Sequence, residues 1–551
     1  MAYPKIPLAQ SVMALCKAKG LLDIIISPGS RNAPLTIGFA SNKEFNCYSI
    51  ADERCAAFMA IGMAQQLKKP VALVCTSGSA LLNYYPAVAE AFYSQLPLVV
   101  ISADRPTSKI DIGDGQTIRQ QNVYANHILY SANLTEENSA ENDAKINEAI
   151  TIAIRQKGPV HINVPFEEPL YEVTETLSVH PEVKEPVKQE ESLPDWTPFI
   201  QKWSQAKKKL ILIGTNDPGV METAIIEQLA NDDSIVVMKE VTSNIHHPHF
   251  IGNIDTIITP FTENDFIAFQ PEILITIGGM VVSKRVKAFL RKYQPEEHWH
   301  VDPLRAYDTF GCLSQHFKCM PNRFFKAVLA QDSLITSDYL PRVKEIQKIR
   351  EAKHKIYADR VPYSDFTVFQ TLLPALPANT QLQISNSSAI RYAQLFSIDP
   401  SIDVFCNRGT SGIDGSTSTA IGAAIAANKE TLLITGDISF LYDSNALWNA
   451  YIPKNFKIIL INNGGGGIFR ILPGHQETEV FNTYFETAHH LTAEHLAAMY
   501  KFRYMTVNDQ TELENALPSF LSEKAQPALL EIHTPMEVND KILLEYFKNL
   551  T

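Results

Sequence analysis

No apolar run in this 551-residue chain approaches the ~20 residues that a membrane-spanning helix needs. The opening stretch, MAYPKIPLAQ, lacks the basic-then-apolar pattern of an export signal. No membrane segment is expected, and the expected compartment is the cytoplasm. Cysteine is sparse: Cys16, Cys47, Cys55, Cys75, Cys312, Cys319 and Cys406, with no CxxC pair and no common zinc spacing. Free, mostly buried thiols in a reducing environment are the plain reading. A basic excess is missing too. The 48 Lys and Arg against 60 Asp and Glu leave a net charge of −12, which argues against a nucleic-acid binder. Small anionic substrates stay open, because they respond to local arginines. The one histidine cluster, His246, His247 and His249, lies in a polar, Pro-containing loop without Cys or carboxylate partners. Solvation is expected there rather than metal ligation.

What is present is organised around Gly436 to Phe469. An apolar run, Leu432-Leu433-Ile434-Thr435, ends at Gly436-Asp437; a second, Ile458-Ile459-Leu460-Ile461, ends at Asn462-Asn463. Both have the length of buried parallel strands, and the stretch between them can hold one helix. In such a unit both strand ends lie on the sheet edge where open α/β folds bind ligands. Asp437 and Asn463 then converge. Together they offer hard oxygen ligands suited to Mg²⁺, which usually shares its coordination with phosphate. Gly464-Gly465-Gly466-Gly467 lets the backbone approach closely and turn a carbonyl toward the metal. An Asp at a helix start beside a ligand-free Gly turn would look the same.

The expected fold is α/β, with three doubly wound parallel-sheet domains. They cover residues 1–171, 196–336 and 363–551, joined by a Pro- and Glu/Lys-rich linker at 172–195 and a helical connection at 337–362. In the first, Asp23-Ile24-Ile25-Ile26 is a strand feeding SPGSRNAPL. Gly29 and Ser30 permit a tight turn there, and Arg31 is expected to project from it. A helix start with Ser and Arg beside it is a ready anion site; a capped helix with a surface Arg reads the same. Glu53 opens a small-residue helix, where a lone Glu is ordinarily a favourable dipole partner. Val71 to Cys75, followed by TSGSALLNYYPAVAEAFYSQLPLVVISADRP, echoes the Asp437 unit: strand, small-residue turn, helix of similar length, Pro, strand. We read a weak internal duplication whose first copy lacks the Asp/Asn pair. The alternative is that any two doubly wound units look alike.

Gly-Asp, about two dozen residues, then Asn-Asn resembles the cofactor and Mg²⁺ motif of the thiamine diphosphate-dependent decarboxylase and synthase superfamily. Ile438 stands where that pattern usually carries a second Gly. The arrangement of Glu53, SPGSR, ADRP, NSSAIR, CNRGTSGIDG and GDIS…NNGGGGIF resembles, more narrowly, the branch of that superfamily serving menaquinone biosynthesis. The likeness spans all three domains and is weakest in the central one. It implies a carbon–carbon bond-forming transferase that decarboxylates 2-oxoglutarate and adds the succinyl unit to isochorismate. It implies thiamine diphosphate and Mg²⁺ (or Mn²⁺), the metal held by Asp437, the Asn463 side chain and the Gly465 carbonyl. Glu53 would hydrogen-bond the pyrimidine ring as the catalytic group, and Ile413 would wedge between the two cofactor rings. Ser387, Gly412, Gly436, Ser439 and Ile468 would complete the cofactor contacts.

Both substrates of that branch are dianions. The cations implied for them are Arg31, Arg105, Lys284, Arg285, Arg391 and Arg408, with Ser30, Gln116 and Ser387 as neutral donors. Ile468, Phe469 and Leu472 would form an apolar wall. The resemblance also implies a homodimer or dimer of dimers, with sites shared between subunits. Two other readings stay open. Another thiamine enzyme, such as an acetohydroxyacid synthase or a 2-oxoacid decarboxylase, would handle less charged acceptors and not call for so many arginines. A cofactor-binding subunit without catalysis would have little need to keep Glu53 together with Asp437 and Asn463.

Overall fold

The computed structural model describes residues 2–185, 195–330, 335–427, 429–471, 474 and 476–551. Leu472 and residues 186–194 of the expected linker lie outside the described residues. The N-terminal β1 (Tyr3–Pro4) pairs antiparallel with β8 (Val173–Thr174). Between them runs a six-stranded parallel sheet: β2 (Asp23–Ile26), β3 (Asn46–Ser49), β4 (Val71–Cys75), β5 (Leu98–Asp104), β6 (Tyr130–Asn133) and β7 (Val160–Pro165), in the order β3-β2-β4-β5-β7-β6. A five-stranded parallel sheet follows: β9 (Lys209–Ile213), β10 (Ile235–Lys239), β11 (Ile273–Ile277), β12 (Glu297–Val301) and β13 (Leu313–Phe317), ordered β10-β9-β11-β12-β13. The last sheet holds β14 (Gln381–Ile384), β15 (Asp403–Phe405), β16 (Thr431–Gly436), β17 (Lys457–Asn462), β18 (Arg503–Val507) and β19 (Ala528–His533), ordered β15-β14-β16-β17-β19-β18.

The central strands β4, β5, β7 and β17 are buried at every position. Helices cover both faces, so β4 and the middle of β17 carry unbroken apolar runs, while β7 buries His161 and Asn163 among its apolar residues. The edges differ. β3 (NCYS), β6 (YSAN) and β18 (RYMTV) are mostly half-buried or exposed and partly polar. They have no apolar run to betray them.

The first and last sheets share one strand order, two-one-three-four-six-five when each is counted along the chain. The helices Glu53–Leu67 and Ser416–Ala426 follow the second strand of each sheet and pack on each other across the two units. A Cβ on Gly62 would lie 1.9 Å from the Thr419 carbonyl oxygen, and one on Gly422 would lie 2.0 Å from that of Met59. Met59-Ala60-Ile61-Gly62 and Thr419-Ala420-Ile421-Gly422 therefore meet reciprocally, as a local two-fold axis requires. The matching topology and this reciprocal contact carry the duplication beyond chance likeness. One apolar cluster runs through the junction, including Phe58, Ile61, Ile421 and Phe440.

The copies diverge where the duplication was read. Between β4 and β5 lies the ten-residue helix Tyr85–Ser94; between β16 and β17 lies only the six-residue helix Asp437–Tyr442 with a 3₁₀ turn, Ser444–Leu447. Asp443 ends that short helix buried, accepting from the Ser418 N–H at 2.7 Å and its hydroxyl at 2.9 Å.

Gly62→Ala tests the helix contact. The added methyl has no room against fixed backbone, and overpacking costs roughly 1–3 kcal/mol. The thermal unfolding midpoint should fall. Gly252→Ala, whose Cβ would meet only the flexible end of Lys239 at 3.8 Å, should leave it unchanged.

Candidate active site

Asp437 stands at the carboxyl end of β16, capped by its own helix. Its Oδ1 accepts from the Ile438 N–H at 2.6 Å, and its Oδ2 accepts from the Gly465 N–H at 3.0 Å. The two strand ends thus meet. Gly465 has φ +156°, and a Cβ there would stand 2.8 Å from the Glu486 carbonyl oxygen, so only glycine fits. The Glu486 carbonyl also accepts from the Gly466 N–H at 2.6 Å. Asn463 Nδ2 donates to Asp365 Oδ2 at 3.0 Å, which leaves the oxygen end of its amide on the opposite side. Asp437, the Asn463 amide and the glycine turn, whose Gly465 carbonyl accepts from the Gly467 N–H at 3.0 Å, thus lie at these two strand ends. This donor set fits a hard divalent cation carrying a diphosphate.

Ser439 Oγ donates to the Ile413 carbonyl at 2.7 Å, and Asn386 Nδ2 donates to the Gly412 carbonyl at 2.7 Å. The CNRGTSGIDG loop is therefore pinned to the ends of β14 and β16. Ser387 takes φ +70° and ψ −128°, a conformation that L side chains rarely adopt. This strain sits beside the loop, between Asn386 and the helix that carries Arg391.

Glu53 is the first residue of its helix, beside the end of β4. Asn83 Nδ2 approaches its Oε2 at 3.5 Å. The flanking residues tie this helix start to the last unit. Asp52 accepts from Cys55 N–H at 3.2 Å and from Asn445 Nδ2 at 2.8 Å. Arg54 Nη2 donates to the Tyr442 carbonyl at 3.1 Å.

The cation candidates divide into two groups. At the first sheet's edge, Arg31 does not project. It is 2 % exposed, donating from Nη1 to the Phe166 carbonyl and from Nη2 to Glu168, each at 3.0 Å. Its partners come from the chain after β7, too distant in sequence for local reading. Arg105 shares Glu168 at 3.9 Å and donates to the Gly115 carbonyl at 3.1 Å. Ser30 and Gln116 are exposed nearby in sequence, and the Gln116 backbone lies over Gly78. The second group lies where the middle and last units meet. Arg408 Nη1 donates to Asn386 Oδ1 at 2.6 Å. Burial first, and then the like charge of Arg408, lower the pKa of Arg391. The same two causes, in the same order, lower that of Lys287. Glu240 beneath them is held up at about 7 by burial, although it accepts from the Val282 and Ser283 N–H groups. Lys284 is exposed, and the Arg285 guanidinium lies 4.4 Å from the Phe547 ring centre.

Arg391, Asn463 and Ile468 line one small cavity of about 20 Å³ with Asp365 and Asp540. It joins a cation candidate directly to a metal-ligand candidate. Phe469, half-buried, stands 6.1 Å from Phe485, ring centre to ring centre.

Several residues here escape sequence reasoning. Glu90, 1 % exposed on the Tyr85–Ser94 helix, accepts from the Gly409 and Thr410 N–H groups at 2.7 and 2.6 Å and so holds the loop carrying Arg408. His489 places Nε2 3.5 Å from Asp437 Oδ2, and this contact raises its pKa against the effect of burial. Arg470 pairs with the fully buried Glu486 and with Glu477. A lone Glu, His or Arg in a polar stretch gives no local signal of such contacts. Of the histidine cluster, His249 Nδ1 lies 2.9 Å from the Ala230 carbonyl and His247 3.5 Å from Glu227. None of the seven cysteines forms a disulfide, and five of them are buried. Among the described residues no helix is long and apolar enough to cross a membrane.

The comparisons with known proteins agree along the whole chain. Residues 6–127 match the family model for the thiamine pyrophosphate enzyme N-terminal TPP binding domain, 178–384 the middle domain, and 387–532 the C-terminal TPP binding domain. The middle match begins inside the expected linker. The chain is 67 % identical over 551 residues to the 2-succinyl-5-enolpyruvyl-6-hydroxy-3-cyclohexene-1-carboxylate synthase of Flavobacterium psychrophilum, covering 100 % of both. The proteins of the same name from Flavobacterium johnsoniae and Christiangramia forsetii are 63 % and 51 % identical, covering 100 % and 99 % of each chain.

Proposed function

The chain belongs to the 2-succinyl-5-enolpyruvyl-6-hydroxy-3-cyclohexene-1-carboxylate synthase family of thiamine pyrophosphate enzymes, and from that premise we propose its reaction and the residues that carry it. It decarboxylates 2-oxoglutarate and joins the succinyl unit to isochorismate, a carbon–carbon bond-forming step of menaquinone biosynthesis. The observation that carries this reading is that Arg391 lines one small cavity with Asn463 and Ile468, alongside Asp365 and Asp540. A dianionic substrate needs that neighbour; a small neutral acceptor does not.

When bound, thiamine diphosphate supplies the electron sink that lets a 2-oxo acid lose CO₂ and its former carbonyl carbon attack an acceptor. Asp437, Asn463 and the Gly465 carbonyl would hold a divalent cation, Mg²⁺ or Mn²⁺, which would neutralise the diphosphate charge. Glu53 would offer its carboxylate as the hydrogen-bond partner of the pyrimidine ring. Ile413, its carbonyl held by Ser439, would pack against the cofactor, and Ser387, Gly412 and Gly436 would complete the contacts to it. Arg391, Arg408, Lys284 and Arg285 bind substrate carboxylates from the middle side. Arg105, Gln116, Ser30 and Arg31 do so from the first sheet's edge, where Glu168 must give way. Ile468 and Phe469 exclude water. We assign the domains as 1–171, 196–336 and 363–551, and the compartment as the cytoplasm.

The test of the reaction is CO₂ release from 2-oxoglutarate with thiamine diphosphate and Mg²⁺, with and without isochorismate. A coupled product is expected only with isochorismate. Coupling to pyruvate or acetaldehyde instead would favour another thiamine enzyme, and cofactor binding without turnover on any acceptor would make the chain a non-catalytic subunit.

Arg391→Ala and Arg105→Ala are each expected to raise KM for one dianionic substrate about 10- to 100-fold, since a charge-assisted hydrogen bond contributes roughly 1.5–3 kcal/mol. Cofactor affinity should hold. Steady-state KM values at wild-type level for both substrates, in both variants, would end the arginine argument.

The active unit is a homodimer or a dimer of dimers, Glu53 of one chain facing Asp437 and Asn463 of the other. The duplicated first and last units, which the reciprocal helix contact relates by a local two-fold, support this arrangement. Mixing inactive Glu53→Gln and Asp437→Ala proteins tests it. Random exchange makes half the dimers mixed, and each mixed dimer has one intact site, so about a quarter of wild-type activity should return. No recovery, once native mass spectrometry shows that subunits have exchanged, would place each site within one chain.

A further inference from the structure

Asp365 has no part in the reading so far, yet it touches the residue on which that reading depends. It opens the helix Asp365–Ala375, whose start is fixed by a Ser364/Thr367 capping box. Its side chain is buried, the residue 2 % exposed. Oδ2 accepts from Asn463 Nδ2 at 3.0 Å, and Oδ1 accepts from Thr534 Oγ1 at 2.6 Å. The Asp365 N–H donates to Asn539 Oδ1 at 2.8 Å. Thr534 is itself fixed, its N–H donating to the Asn462 carbonyl at 3.1 Å. The carboxylate thus accepts from two side chains, Asn463 and Thr534, while the backbone N–H ties the residue to Asn539.

An Asn side chain has a donor end and an acceptor end of nearly equal size, so packing alone does not choose between them. An ionised carboxylate only accepts. It therefore takes the NH₂ end and leaves the oxygen end facing away. We propose that Asp365 is a positioning residue that sets the amide of Asn463, so that oxygen and not NH₂ is presented to the divalent cation. The inference rests on the reading of Asn463 as a metal ligand. It gives a role to a buried carboxylate at the end of β17, beside the β16 end that carries Asp437. Outer partners that orient metal ligands in this way typically account for 10- to 100-fold in metal affinity.

The test is Mn²⁺ affinity, followed by electron paramagnetic resonance with thiamine diphosphate present, in the full-length protein. Asp365→Asn keeps the shape but offers Asn463 either end of an amide, so its orientation is no longer chosen. It is expected to weaken Mn²⁺ about 10- to 100-fold. In an Asn463→Ala background the same change should add nothing further, because there is no amide left to orient. A merely structural role would give equal losses in both backgrounds, and that result overturns the proposal. Mn²⁺ affinity unchanged in Asp365→Asn but lowered in Asn463→Ala overturns it as well, while sparing the ligand reading. Affinity unchanged in Asn463→Ala removes the ligand reading and the proposal with it. If Asp365→Asn does not fold, Thr534→Val frees Oδ1 without touching Asn463. It should then weaken Mn²⁺ in the wild-type background only, and no change would overturn the proposal.

Discussion

Glu53→Gln is expected to bind thiamine diphosphate and lose most turnover, roughly 10²- to 10⁴-fold in kcat, the range attributed to a positioned acid or base. The reason is local and electrostatic. Gln has the same shape as Glu, and nothing that packs the helix start depends on the Glu53 charge. Asp52 caps the helix through the Cys55 N–H, and Arg54 and Asn445 fasten it to the last unit. The Glu53 carboxylate faces Asn83 Nδ2 at 3.5 Å. The substitution therefore removes a proton-sharing oxygen and leaves the scaffold in place. Calorimetry should give near-normal cofactor affinity, while CO₂ release with isochorismate present falls. Near-normal turnover would remove Glu53 from its role.

Asp437→Ala should fail differently. Metal and cofactor affinity should fall together, on the order of 100-fold or more, since the loss of an outer partner alone costs about 10- to 100-fold. Asp437 is the single carboxylate among the proposed ligands, so the cation loses its only anionic protein ligand. The same side chain accepts from the Gly465 N–H, so the glycine turn loses its tether to β16 as well. A calorimetric titration of thiamine diphosphate with Mg²⁺ present reads both effects at once. Unchanged affinity would contradict the assignment. Glu53→Gln thus separates chemistry from binding, and Asp437→Ala weakens binding itself; this contrast makes the pair useful in the subunit-mixing test.

The sequence by itself determined the strands that helices cover on both faces. Asp23–Ile26, Val71–Cys75 and Ile273–Ile277 form over the residues read from the chain, because an unbroken apolar run of that length has no other stable place in a soluble α/β fold. It also determined the thiamine pyrophosphate family, since the short motifs that carry this chemistry are contiguous: Gly436-Asp437, Asn462-Asn463 and the glycine run after them. The repeat of Ala-Ile-Gly at 60–62 and 420–422 was equally present in the chain. Its meaning appears only when Gly62 and Gly422 meet the opposite helix backbones. The tertiary structure alone decided the rest. The edge strands β3, β6 and β18 form because a neighbouring strand supplies their hydrogen bonds, not because of their own composition. Arg31 turns inward because Phe166 and Glu168 return to it from the far end of the first unit. Asp365, Glu90 and His489 acquire their places through partners 98, 319 and more than fifty residues away. A polar side chain is specified by whatever donor or acceptor folding brings within about 3 Å of it, and that distance is not written in its own stretch of chain.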